Sequence, residues 1–331
     1  MDNLLRLTDK GLYCEAGDFY IDPIRSVERA IITHGHSDHA RYGSRNYLSH
    51  RLTIPVLLSR LGSNASYHGM EYGERLLVNG VSISLHPAGH IPGSAQVRIE
   101  KNGEIWVVTG DYKIQPDNIS TSFEIVRCSV LISECTFGLP IFQWTKQSVI
   151  AEQINHWWRR NAAKGVTSVL LCYSLGKAQR ILAMLDENIG PIMAHGATFT
   201  VTELLREHGV SLPRLELVTG RSSLERFRSA MILAPASALG TPWMKKFEPY
   251  EFASASGWMT LRGVRKRLGC DQAFILSDHV DWPGLQSVVQ AISPERLYFT
   301  HGYTSQAAKW FCEQGFNAKE FHDLKISDRE K

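Results

Sequence analysis

Residues 34–39 read His-Gly-His-Ser-Asp-His, three imidazoles and a carboxylate within six positions, directly after the apolar run Ala30-Ile31-Ile32. In extended backbone, residues two apart face the same way, so His34 and His36 point at one place. A turn at Ser37 lets Asp38 and His39 face a second place a few ångströms away. Imidazole and carboxylate together suit zinc or a similar borderline divalent cation. In a chain with 13 histidines, such a run arises by chance on the order of once in a thousand, so a ligand-free surface turn is the weaker account.

More polar residues stand where apolar runs end. His90 follows "SISLHPAG", Asp111 follows "EIWVVTG", Glu134 follows "SVLIS", His279 follows "AFILSD" and His301 follows "RLYFT". One such residue alone merely starts a turn. Five of them, beside the histidine motif, imply one shared site where strand ends meet along an edge of a layered fold. His34, His36 and His90 suit one cation, and Asp38, His39 and His301 a second, with Asp111 between them. A water shared by two divalent cations ionises near neutral pH and becomes a nucleophile. That chemistry fits hydrolysis at phosphorus.

Elements must bring these residues together. The first part of the chain is a series of short β-type runs, including "FYID", "RAIITH", "AQVRIE" and "EIWVVTGD". Asn102-Gly103 sits between two of them as a hairpin tip. From about residue 146 the pattern changes to alternating helix and strand: helices over 148–164, 176–188 and 200–209, and strands over 167–174, 215–218 and 230–236. The strand-like runs at 272–279 and 296–302 resemble the first part again. The pattern predicts an α/β protein with a β-rich domain over 1–145, an α/β insertion over 146–271 and a returning segment over 272–331.

Composition narrows the classes. The chain has 331 residues, 44% hydrophobic and 21% charged, with a formal net charge of +3. That is ordinary globular composition, and it permits an anionic partner without demanding one. Its 6 cysteines form no Cys-x-x-Cys pair and no secretory leader or membrane-length apolar run is evident, so a cytoplasmic protein with reduced thiols is expected.

In order along the chain, "THGHSDHA", "PAGHIPGSAQ", "TGDYK", "ISECTFG", "LSDHVDWPG" and "YFTHG" resemble the β-CASP branch of the metallo-β-lactamase fold, a nuclease family. "TFGLPIFQW", "WWRRNA", "YSLGKAQR" and "SASGWM" are similar to the bacterial ligase-associated DNA exonucleases within it. The resemblance implies a four-layer αββα fold with an inserted α/β β-CASP domain, and a site holding two divalent ions, zinc first and manganese as the alternative. Its metal-ligand positions fall on His34, His36, Asp38, His39, His90, Asp111 and His301. Asp22, in "YIDP", matches an aspartate that buttresses the histidine loop; otherwise it is an Asp-Pro turn. Glu134 matches the acidic residue paired with His279, the histidine that protonates the departing oxygen.

The same resemblance implies 5′-to-3′ degradation of single-stranded DNA in repair, with a DNA ligase and helicase as functional associates and no membrane. One residue points elsewhere: histidine at position 301 is the form found in the family's RNA-directed members. Candidate substrate contacts are Lys113, Lys177, Ser256, Arg262 and Arg265, with "WWRR" at 157–160 as a second basic stretch. Two adjacent tryptophans on a helix cannot both face one groove, so at least one of Trp157 and Trp158 belongs to the core. Rival functions are an RNA-processing nuclease, a small-molecule metallohydrolase and an inactive scaffold. The long insertion disfavours the small-substrate hydrolase, because a polymer needs a clamp that a small substrate does not.

Overall fold

Short apolar runs that alternate with polar residues need a facing layer to bury them, and the chain begins by building two sheets. The computed structural model describes residues 3–219 and 224–324. It opens with β1 (Arg6–Thr8), β2 (Gly11–Cys14), β3 (Phe19–Ile21), β4 (Arg29–Ile31), β5 (Asn46–His50), α1 (Ile54–Leu61) and β6 (Ser66–Met70). Then come β7 (Arg75–Val78), β8 (Val81–Pro87), β9 (Ala95–Lys101), β10 (Glu104–Val108) and β11 (Val130–Cys135). The middle of the chain forms α2 (Gln147–Ala163), β12 (Thr167–Leu171), α3 (Lys177–Leu182), β13 (Ile192–Ala194) and α4 (Gly196–Glu207). It continues through β14 (Glu216–Leu217), α5 (Leu224–Phe227), β15 (Met231–Ala234), β16 (Tyr250–Ala255), α6 (Arg262–Leu268) and β17 (Gln272–Phe274). The last elements are α7 (Trp282–Ile292), β18 (Arg296–Gly302), α8 (Thr304–Glu313) and β19 (Ala318–Glu320).

These elements divide into two compact units. One comprises Met1–Pro116, Ser120–Phe142 and His279–Lys331, the other Asp117–Ile119 and Gln143–Asp278. The chain therefore leaves the first unit and returns to it.

In the first unit one sheet has the order β1-β2-β3-β4-β5-β6 and the other β19-β18-β11-β10-β9-β8-β7. Leu12, Ile21 and Ile31 of the first interlock with Ile83, Val97, Trp106 and Ile132 of the second. Side chains alternate across the central strands: Trp106 and Val108 face the other sheet, while Val107 turns the opposite way onto the helices. Leu285, Val289 and Phe311 of α7 and α8 cover that outer face. Leu57 and Leu61 of α1 cover the outer face of the first sheet, against Ala30, Ile32 and Tyr47. The order of layers is helix, sheet, sheet, helices. At the β9–β10 hairpin Asn102 and Gly103 both take positive φ, 52° and 83°, as a two-residue primed turn requires.

The second unit carries a six-stranded sheet in the order β14-β13-β15-β12-β16-β17, parallel throughout. Trp157, Trp158 and Ile181 pack on one face, and Phe227, Met244 and Phe247 on the other. Both tryptophans are core residues. Their indole N–H groups donate to Glu251 Oε2 at 3.0 Å and to the Ser229 carbonyl at 2.8 Å, so neither stacks on a base.

Three of the charged side chains buried in this unit meet one another. Lys177, Arg180 and Asp278 are 3%, 1% and 4% exposed. Asp278 meets Lys177 Nζ at 2.9 Å and Arg180 Nη1 at 3.0 Å, and the ammonium also donates to the Leu276 carbonyl at 2.9 Å. Burial pushes the Lys177 pKa down, with the Asp278 carboxylate opposing it. The sequence reading of Lys177 as a substrate contact is corrected here, because its ammonium is committed inside the core. Among the described residues no helix is long and apolar enough to cross a membrane.

Removing Asp278 would leave two buried cations without their carboxylate. Asp278→Ala is expected to cost about 3–5 kcal/mol, read as a lower urea midpoint. Arg262→Ala, on the exposed face of α6, is expected to leave the midpoint unchanged, and equal midpoints for the two variants would contradict the assignment.

Candidate metal centre

Strand direction explains why residues far apart in sequence converge. β8 and β10 each pair antiparallel with β9, so they run the same way. β10 is parallel to β11, and β11 to β18. The four strands thus finish along one edge, where His90, Asp111, Glu134 and His301 lie. The first sheet contributes the chain leaving β4, which carries Thr33 and the histidine motif.

Four ligand atoms gather first. His34 Nε2 and His90 Nε2 lie 3.1 Å and 3.2 Å from His36 Nδ1. Asp111 Oδ2 is 3.6 Å from His34 Nε2 and 3.8 Å from His90 Nε2. Donor atoms held about 2.0–2.1 Å from a tetrahedral zinc are about 3.3–3.5 Å apart, so these separations fit one cation. The donor set fits on chemical grounds too. Three ring nitrogens and a carboxylate oxygen that converge on one point are a donor set that a borderline divalent cation accepts.

The other oxygen of the same carboxylate faces a second group. Asp111 Oδ1 lies 3.4 Å from His39 Nε2, and Asp38 Oδ2 lies 3.9 Å from it. His39 Nε2 is buried without a hydrogen-bond partner among the described residues, as a nitrogen reserved for a metal would be. The His301 ring is 5.2 Å from the His39 ring, centroid to centroid.

Tautomers follow from the surrounding bonds. Asp22 accepts from the Thr33 amide at 2.8 Å, from Thr33 Oγ1 at 2.6 Å and from His39 Nδ1 at 2.7 Å. With its proton on Nδ1, His39 presents the Nε2 lone pair to the site. Thr33 Oγ1, having given its proton to Asp22, accepts from His34 Nδ1 at 3.1 Å, which turns the His34 Nε2 lone pair inward. Sequence reasoning did not find Thr33; a hydroxyl just before the motif was its only signal. Arg60, which donates to the Gly35 carbonyl between two histidines, was missed as well.

Two of these residues hold unusual backbone. Asp22 and His301 have φ of 43° and 55°, in the left-handed region that non-glycine residues avoid and that clusters at functional sites. Beyond His301 the next residue must be glycine, since a Cβ on Gly302 would lie 2.4 Å from the Cys135 carbonyl oxygen.

The charges are mutually dependent. Burial, reinforced by His39, holds the His34 pKa well below its usual value. Burial also works against charge on His39, but Asp111 and Asp22 outweigh it and raise its pKa well above the ordinary. Burial alone would raise the Asp111 pKa; His39 and His279 outweigh it and hold the carboxyl well below its usual range.

His279 and Glu134 adjoin the cluster. His279 Nδ1 is 2.9 Å and 3.0 Å from the two Glu134 oxygens and 3.9 Å from Asp111 Oδ2. Glu134 is fully buried and accepts from the Tyr112 amide at 2.9 Å and from Thr136 Oγ1.

The remaining candidates divide. Lys113 is 2% exposed, and its ammonium donates to the Gly89 carbonyl at 2.6 Å, so its assignment as a substrate contact is corrected. Arg262 and Arg265 are exposed on α6. Ser256 is half-buried and caps the turn that follows it, accepting from the Trp258 amide at 3.3 Å. Arg160 bonds Glu251 at 2.6 Å and Arg159 bonds Asp186 at 3.2 Å.

Comparison with known proteins places this arrangement among others. The chain is 28% identical over 311 residues to a protein of Opitutus terrae named "Probable DNA ligase", covering 93% of this chain and 30% of that one. It is 22% identical over 379 residues to "Probable RNase MJ4" of Methanocaldococcus jannaschii, covering 89% of this chain and 87% of that one. It is 21% identical over 283 residues to "RNase aCSPSF2" of Saccharolobus solfataricus, covering 72% of this chain and 56% of that one. The chain therefore spans under a third of the first relative's length. A crystal structure of an Enterococcus faecalis V583 protein of unknown function aligns with a TM-score of 0.59 at 11% identity, over 84% of this chain and 76% of that one, a likeness of fold alone. No family model matches the chain.

Because Asp22 fixes both Thr33 and the His39 ring, Asp22→Ala is expected to weaken zinc binding about 10–100-fold. Competition against a chromophoric chelator measures this. Affinity equal to that of the wild type would show that His39 is oriented by other means.

Proposed function

From the premise that the chain belongs to the β-CASP branch of the metallo-β-lactamase nucleases, we propose that it hydrolyses phosphodiester bonds in nucleic acid. We read its helix–sheet–sheet–helix unit as the four-layer αββα fold, and the unit over 143–278 as the β-CASP insertion. The observation that carries the function is the meeting of His34, His36 and His90 at Asp111, with the His279–Glu134 pair beside them.

His34, His36, His90 and Asp111 would hold one divalent cation, and Asp38, His39 and His301 with the other Asp111 oxygen a second, zinc first and manganese as the alternative. Such ions supply Lewis acidity toward phosphoryl oxygens and lower the pKa of water. The protein's own groups do the rest. Glu134, anchored by Tyr112 and Thr136, orients His279 through Nδ1 and offsets the charge of its protonated form. His279 Nε2 then delivers a proton to the departing 3′-oxygen. The products carry a 5′-phosphate and a 3′-hydroxyl. Arg262 and Arg265, exposed on α6, suit contacts to backbone phosphates.

We favour DNA, taken 5′-to-3′ from single strands in functional association with a ligase, because the likeness to the ligase-named protein, 28% identical, is stronger than the 22% to the RNase-named protein that covers a similar share of the chain. A second reading, an RNA-processing nuclease, is favoured by histidine at position 301 and by relatives named as RNases.

Metal-loaded protein incubated with 5′-labelled single-stranded DNA and RNA of the same sequence is expected to release mononucleotides from DNA. Preferential loss of RNA would select the second reading, and chelation is expected to stop either reaction. His279→Ala is expected to slow oligonucleotide cleavage about 10²–10⁴-fold. The p-nitrophenyl ester of thymidine 5′-phosphate should suffer far less, because p-nitrophenolate leaves without a proton. Equal losses on both substrates would remove His279 from that role.

A further inference from the structure

His90 sits on a loop with little regular structure of its own. Gly89 and Gly93 take φ of 72° and 80°, and the Ser94 hydroxyl accepts from the amides of His90 and Ile91 at 3.1 and 3.2 Å. Thr53 Oγ1 holds the far end of the loop by donating to the Gly93 carbonyl at 2.7 Å, and Lys113 joins its near end to the Asp111 loop. Its backbone amide donates to the Ala88 carbonyl at 3.0 Å, and its ammonium to the Gly89 carbonyl at 2.6 Å. The approach is close enough that a Cβ on Gly89 would lie 2.2 Å from the Lys113 carbonyl oxygen. Lys113 is only two residues beyond Asp111. The residue between them, Tyr112, gives its amide to Glu134 and takes the Val280 amide on its carbonyl at 2.7 Å. Three consecutive residues thus touch the carboxylate of the centre, the acid pair and the His90 loop.

We propose that Lys113 is a positioning residue of the metal centre. Its buried ammonium grips the Gly89 carbonyl, sets the His90 loop against the Asp111 loop, and so fixes where His90 Nε2 stands relative to Asp111 Oδ2. A charged donor is suited to this because a charge-assisted bond is shorter and stronger than a neutral one. The long-range field of an ammonium would by itself repel a second cation, so its presence here argues for a geometric task. The proposal rests on the reading of this cluster as a divalent-cation site, but not on the substrate being DNA.

The test uses the full chain as wild type, Lys113→Met, Gly89→Ala and the double variant. Each is measured for zinc affinity by chelator competition, for the visible spectrum of the cobalt form and for steady-state oligonucleotide cleavage. Lys113→Met is expected to weaken zinc binding about 10–100-fold and to change the cobalt bands, with KM at saturating zinc within about twofold of the wild type. Gly89→Ala disturbs the same pair of loops through a different contact, its Cβ meeting the Lys113 carbonyl oxygen at 2.2 Å. The double variant is expected to lose less than the two single losses combined, because both act on one pairing of loops. Should Lys113→Met fail to fold, Gly89→Ala carries the comparison.

Unchanged zinc affinity and an unchanged cobalt spectrum would overturn the proposal. So would tighter zinc binding, which would make the ammonium's repulsion its main effect, or a tenfold rise in KM with affinity retained, which would make Lys113 a substrate contact. A wild type that binds zinc but cleaves no nucleic acid would defeat the proposed function while the affinity comparison still decides the role of Lys113.

Discussion

The Asp111 carboxylate is the point on which the centre turns. One oxygen faces His34 and His90, the other faces His39, and His279 approaches the same group from the side of Glu134. A buried carboxylate held ionised needs positive charge around it. Imidazoles whose ring nitrogens converge beside it could share a cation with it. The two features answer each other, and the surrounding structure can be understood as the scaffold that brings them together.

That scaffold works by strand direction. β8, β10, β11 and β18 end along one edge, so residues spread from position 90 to position 301 reach it without any long loop having to find it. Rigid two-sided burial of the central strands sets their ends, as the opposite destinations of Trp106 and Val107 illustrate. Asp22, Thr33, Ser94 and Lys113 then orient rings and loops by hydrogen bonds. Strain is confined to a few places where geometry demands it, Asp22 and His301 among them.

Much of this was legible from the residues alone. The histidine motif and the polar residues at strand ends identified the cluster, because metal chemistry restricts residue types and strand ends restrict their places. The Asn102–Gly103 turn was legible because only two adjacent positive φ values close that hairpin. Less legible were elements whose apolar content is small. The strand β16, "YEFASA", lies between β12 and β17 yet has no clear period, since small residues fill a crowded position. The helix expected over 176–188 stops early, at Lys177–Leu182, where Asn155 takes the Asp186 amide and donates to the Met184 carbonyl, and Asp186 accepts from the Asn188 amide. Lys113 and Lys177 were misread for a common reason: a lysine in a motif looks like a surface cation until the carbonyls and carboxylates that bury it are in place.

The most direct test of the account is anomalous diffraction from zinc-loaded crystals. It predicts two peaks about 3.5–4 Å apart on either side of Asp111, one within bonding reach of His34, His36 and His90, the other of Asp38, His39 and His301. A single peak at one set, or zinc bound away from Asp111, would contradict it.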